Sequence, residues 1–180
     1  RGLNQQGKDL AYVKIGFHVS GINTHSGLGH WEQCLNAAGV PFVLKVVDME
    51  GTAMEAARFA GSYGVADTIV YRKDGEDMSW RVPYPNPWPS PTPDPVQAAI
   101  NHWNLHVATF SDNVDRNGNR TPDIDTYRDR IWVETINEPW RDITEWLAEF
   151  SLKTAQLANA AGYKYAAFSW SCGDPDADAW

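Results

Sequence analysis

Three observations predict an α/β fold of repeated strand and helix units for this 180-residue chain. Five short runs rich in Val, Ile, Tyr, Phe and Trp alternate with stretches whose apolar residues recur at helical spacing. The connections between successive runs are long enough to hold the helix that a parallel crossover needs. The run Ile131-Trp132-Val133-Glu134-Thr135-Ile136-Asn137 is followed by Glu138 and stopped by Pro139, which has no amide proton to give a sheet. A carboxylate and an amide at a strand's carboxyl end face the place where ligands of such folds collect.

Composition sets the outer limits. A hydrophobic content of 43% in 180 residues is enough for one sizeable core in one domain. The net charge of -8, with no cluster of Lys or Arg, argues against a nucleic-acid partner or an anionic membrane surface. No apolar stretch approaches membrane-span length and none resembles a signal peptide, so a soluble protein is expected, with secretion left open. The chain begins at Arg1 without an initiator Met, which reads as a processed or trimmed product. Cys34 and Cys172 form neither a metal-binding repeat nor a disulfide framework; both are expected to be free, and no metal or cofactor is predicted. Nine Trp residues are unusual, since indoles serve both cores and flat ligands such as sugar rings.

In order along the chain, the first strand is expected over residues 12 to 18, with Val13, Ile15 and Phe17 on one side, Lys14, Gly16 and His18 on the other, and His18 near the carboxyl end. Leu28, Trp31 and Leu35 then recur at helical spacing up to Gly39, a natural helix stop. The second strand covers 42 to 48 and ends at Asp48. A helix from Thr52 to Ala60 leads to a third strand over 68 to 72, ending at Arg72. The segment from about 73 to 95 includes seven prolines between Pro83 and Pro95, and so can be neither helix interior nor central strand. It reads as a stiff surface loop that carries Trp80 and Trp88 over the carboxyl-end face, with a disordered linker as the alternative.

Asp94-Pro95-Val96-Gln97 has the form of a capped helix start, with the helix running to about Phe110. Asp112 to Asp125 reads as a polar loop; its oxygen-bearing residues around Gly118 resemble a calcium loop but lack the closing Glu. After the fourth strand at 131 to 137, Ile143, Trp146, Leu147, Phe150, Thr154, Leu157 and Ala161 mark the buried face of a long helix closed by Gly162. A fifth strand over 164 to 170 is followed by a loop-like stretch to Trp180.

Two closures fit this pattern. A doubly wound open sheet is complete with five strands, whereas an eight-stranded barrel needs three more. The open-sheet reading lacks its phosphate signatures, since no GxGxxG follows the first strand and no Walker sequence occurs; a nucleophile elbow is missing too.

The triplet Asn137-Glu138-Pro139, closing the fourth strand behind Trp132-Val133-Glu134-Thr135-Ile136, resembles the motif that ends strand four in the cellulase-like superfamily of retaining glycoside hydrolases, a clan of TIM-type (β/α)8 barrels. The resemblance implies that residues 1–180 are the N-terminal part of such a catalytic domain, about the first five of eight βα units. It implies that Glu138 is the general acid/base and that Asn137 binds the sugar hydroxyl beside the reacting carbon. A protonated carboxyl gives its proton to the glycosidic oxygen, and the resulting carboxylate activates the water that releases the covalent intermediate. The nucleophilic glutamate of the family closes strand seven, and no residue of this chain can take that role. The chain is therefore expected to be a fragment, with the remaining strands supplied in cis or by another chain; an inactive relative is the other possibility.

Further site candidates follow from position. His18, Asp48 and Arg72 stand at predicted carboxyl ends of strands, where they would bind hydroxyls or take part in rim ion pairs. Trp140 and Trp170 follow strands into the same face, and Trp88 would line a distal sugar position. Glu134 reads as a carboxylate held by Lys14, Lys45 or Arg72, Tyr71 as part of the sheet wall, and His25 and His30 as surface residues. The expected substrate is an oligo- or polysaccharide with β-glycosidic bonds. The competing reading is a carbohydrate-binding or structural partial barrel without catalysis.

Overall fold

The computed structural model describes residues 15–20, 27–73, 94–108, 124–137 and 144–169. In chain order these form β1 (Gly16–Ser20), α1 (Leu28–Ala37), β2 (Val43–Val47), α2 (Glu50–Tyr63), β3 (Thr68–Arg72), α3 (Pro95–Ala108), a short 3-10 turn (Ile124–Tyr127), β4 (Ile131–Asn137), α4 (Thr144–Ala160) and β5 (Lys164–Ser169). The strands make one sheet in the order β1-β2-β3-β4-β5, and every neighbouring pair is parallel. Doubly wound sheets reverse their strand order at a switch point. No reversal occurs among the described strands.

One face of the sheet is covered. Val19, Leu44, Val46, Ile69, Tyr71, Ile131 and Val133, alternate residues of four strands, form a single buried cluster with Ala53, Ala56 and Ala57 of α2, Trp103 of α3 and Ala158 of α4, and with Leu28 and Leu35 of α1 packed against it. All four helices thus lie against the same face. That is the geometry that right-handed crossovers give when every connection steps the same way. A second cluster, Ala98, Ala99, Ile136, Leu147 and Phe150, joins α3, α4 and the end of β4. There Trp146 stacks on Phe150 with ring centres 5.2 Å apart.

Local chemistry explains most of the boundaries. Asp94 Oδ1 accepts from the Gln97 amide at 2.7 Å and Pro95 opens α3, as a capped start requires. Gln97 does not reach back to complete the box; its amide donates forward to Asn101 at 2.9 Å. Gly39 and Gly162 take left-handed φ values of 70° and 81° just beyond α1 and α4, a conformation that costs glycine little.

Several expected boundaries move. β1 begins at Gly16 and extends to Ser20, so His18 sits in mid-strand rather than at its end, and Ile15 lies outside it, exposed. Residues 12–14 are outside the described residues. α2 runs from Glu50 to Tyr63, beyond both expected ends, because Gly64 rather than Ala60 closes it. Trp31 is 63% exposed, and the inward face of α1 carries the polar Glu32 and Asn36 instead. Ile124, expected in a polar loop, is buried in the main core. On α4 it is Ala158, not Leu157, that is fully buried.

Candidate functional site

The face of the sheet opposite the described helices bears a group of polar side chains. His18 on β1 and Lys45 on β2 are registered partners, and Lys45 is in turn registered with Val70 on β3. Arg72 closes β3, and Glu134 lies on β4 two residues beyond Trp132, the partner of Val70. The Glu134 carboxylate is buried and accepts from Lys45 Nζ at 2.8 Å and from an Arg72 guanidinium nitrogen at 3.3 Å. Two of the three cations expected to hold Glu134 therefore do so. Lys14 lies outside the described residues.

This grip fixes the chemistry available to Glu134. Lys45 and Arg72 both donate to the same carboxylate oxygen, Oε1. His18, although exposed, has its pKa lowered by the partial loss of solvent around its ring, then by the charges of Lys45 and Arg72, with Glu134 acting the other way. An uncharged imidazole beside this cluster can both give and accept a hydrogen bond.

Thr135 Oγ1 lies 3.3 Å from the Tyr165 hydroxyl, which also meets Thr154 of α4, while the next residue, Ile136, packs between α3 and α4. Asn137 is the last residue of β4, paired in register with Ser169. Glu138, Trp88, Trp140 and Trp170 lie outside the described residues.

Asp48 follows β2 in a left-handed conformation, φ 60°, with its amide donating to the Arg72 carbonyl at 3.1 Å. Its carboxylate lies 3.8 Å from Lys73 Nζ, which is 3.3 Å from Glu50. Asp48 is thus tied into a partly exposed ion-pair group at the carboxyl rim of β2 and β3. Tyr71 is fully buried in the core between sheet and helices, and its hydroxyl is hydrogen-bonded to Glu50; burial and that carboxylate raise its pKa.

Sequence reasoning missed His102. It is 3% exposed on α3, its Nε2 is 3.1 Å from the Thr135 carbonyl, and its ring is tilted against Phe150. Its place one turn beyond Ala98 and Ala99, beside Trp103, was the available signal. Burial lowers its pKa to about 4, against the smaller opposing effect of the bond to Thr135. The neutral ring donates Nε2–H to that carbonyl.

A cleft of about 380 Å³ opens at the opposite, amino-terminal end of the sheet, lined in part by Val65, Asp67, Arg130 and Lys164. It is remote from the carboxyl ends where the cluster of Lys45, Arg72 and Glu134 gathers. Among the described residues no group of three His, Cys, Asp or Glu side chains could hold a metal ion, and no helix is long and apolar enough to cross a membrane.

Fold and site together define an α/β protein of repeating βα units with an enzyme-like architecture: consecutive parallel strands, helices on one face, and a charged cluster on the other. Comparison with protein-family models, curated proteins and solved structures gave no match.

Proposed function

We propose that the chain is the first five βα units of an eightfold barrel from a retaining glycoside hydrolase that cleaves β-glycosidic bonds in an oligo- or polysaccharide. The observation that carries this reading is the position of Asn137, the last residue of the fourth strand in an unreversed parallel sheet, with Glu138 and Pro139 next in sequence. In it Glu138 is the general acid/base, Asn137 binds the hydroxyl beside the reacting carbon, and the nucleophile belongs to sequence beyond these 180 residues. His18, Asp48 and Arg72, with Trp88, Trp140 and Trp170, would contact sugar, and the remaining strands would come in cis or from another chain.

The competing reading is non-catalytic, a carbohydrate-binding or structural partial barrel. Glu134, the buried carboxylate nearest to Glu138 in sequence, is already committed to two cations and is not poised as a nucleophile. The two readings separate on a second carboxylate, which a retaining enzyme needs about 5 to 5.5 Å from Glu138.

The deciding experiment is Glu138→Gln in the full-length parent. Turnover of the natural glycan should fall by roughly 10²- to 10⁴-fold, because glutamine keeps the shape but cannot give and recover a proton. An aryl glycoside with an activated leaving group should react past the first step and stall at the second, with azide restoring part of the turnover in place of activated water. Unchanged activity on the natural glycan, in a variant whose circular dichroism matches the parent, rules the acid/base role out.

A further inference from the structure

The face that α1 turns toward the core carries a carboxyl group where an apolar residue would ordinarily sit. Glu32 is 1% exposed, flanked along the helix by Leu28 and Leu35, and its Oε1 has no hydrogen-bond partner. One turn on, Asn36 is also buried. Its amide nitrogen donates to Asp67 Oδ2 at 2.8 Å, but its Oδ1 has no partner either. Asp67 is otherwise provided for, since its other oxygen accepts from the Phe42 amide at 3.0 Å.

Among the described residues, the charges that act most on Glu32 are negative, those of Glu55 and Asp67. Glu55 of α2 lies against α1, its carboxylate 3.2 Å from where a β-carbon on Gly29 would stand, and Asp67 approaches from the turn before β3. Glu55 has Arg58 4.0 Å away, a pair about half exposed on each side. A carboxylate at Glu32 would add only acceptors beside the unmet Asn36 Oδ1, within reach of two like charges. A carboxylic acid would add a donor and no charge.

We propose that α1 is docked through a protonated Glu32 and that loss of this proton is a pH-sensitive release of α1 from the sheet and α2. Burial first, then Glu55, then Asp67, raise the Glu32 pKa from 4.5 to about 7. The folded chain therefore holds a proton that the unfolded chain has lost. The stabilisation is complete below about pH 4.5 and disappears as pH rises through about 7. Asp67 contributes in the same direction, since burial raises its pKa against the bonds from Asn36 and Phe42. Release would act as pH rises from about 4.5 to about 7, on the helix that connects β1 to β2.

The test compares denaturant unfolding of the chain and its Glu32→Gln variant between pH 5 and pH 8. Glutamine supplies a neutral donor at every pH. The folding equilibrium constant of the parent should fall by roughly 10²-fold relative to the variant over that range. Parallel pH profiles overturn the proposal. Carboxyl carbon NMR of Glu32 in the unmodified chain decides the matter even if the variant does not fold: a midpoint near 7 supports the latch, and one near 4.5 overturns it.

Discussion

Lys45 on β2 and Glu134 on β4 meet at 2.8 Å although β3 lies between their strands. Val70, the β3 residue registered with Lys45, has a short side chain, and Arg72 on the same strand joins the pair from the side. One carboxylate thereby ties together three adjacent strands on the face opposite the described helices. The link is ionic where it is dry, with Glu134 and Arg72 buried and Lys45 a fifth exposed.

Breaking this link from the acidic side leaves two cations without their shared partner. Glu134→Gln should destabilise the chain by about 3 kcal/mol, within the range for removing one member of a buried ion pair and at its lower end because Lys45 retains solvent. Replacing all three residues with apolar ones of similar volume should cost much less. Urea midpoints at constant slope measure both. Equal losses for the single and triple changes would mean that the residues act by packing rather than by charge.

His18 should titrate below the ordinary 6.5 and be uncharged at neutral pH. Because the folded chain binds this proton less readily than the unfolded chain, its contribution favours folding above pH 6.5 and is lost as pH falls through the lowered value. Lys45→Met removes a neighbouring cation and should move the His18 midpoint upward, read from its ring-proton NMR shift. An unchanged midpoint would assign the shift to solvent loss and Arg72 alone.

His102 sets a sharper acid limit. With a folded pKa of about 4 against 6.5 unfolded, it is buried neutral and must be charged on unfolding in mild acid. Stability should fall as pH drops from about 6.5 to about 4, by about 3 kcal/mol in total for this group. His102→Gln keeps a donor for the Thr135 carbonyl but does not titrate, so its stability should be flatter across that window. A variant with the parent's acid slope would move the cause elsewhere.

Much of the fold was legible because its signals are local. The cap at Asp94, the glycines after α1 and α4, and the five β-rich runs depend on residues within one turn or one strand of each other, and they led to the right element types in the right order. The first strand runs two residues past its expected end, to Ser20, because Phe17 and Val19 continue the same alternation and Gly16–Ser20 pair with Val43–Val47. Trp31 was misjudged. Leu28, Trp31 and Leu35 share a helical period, but so do Leu28, Glu32 and Leu35, and the two faces differ only in what lies opposite.

By itself the sequence determined the alternation of strands and helices, the parallel crossovers, and the end of the fourth strand at Asn137. The three-dimensional arrangement decided which polar residues are buried and with what partners. Glu134 is a gripped carboxylate because Lys45 and Arg72, 89 and 62 positions away, arrive beside it. Glu32 is an unpartnered one because Glu55 and Asp67 arrive instead. Periodicity comes from the geometry of one element, which neighbouring residues encode. The solvation and charge of a buried side chain come from elements brought together by folding, and no stretch of chain around Glu32 or Glu134 contains that information.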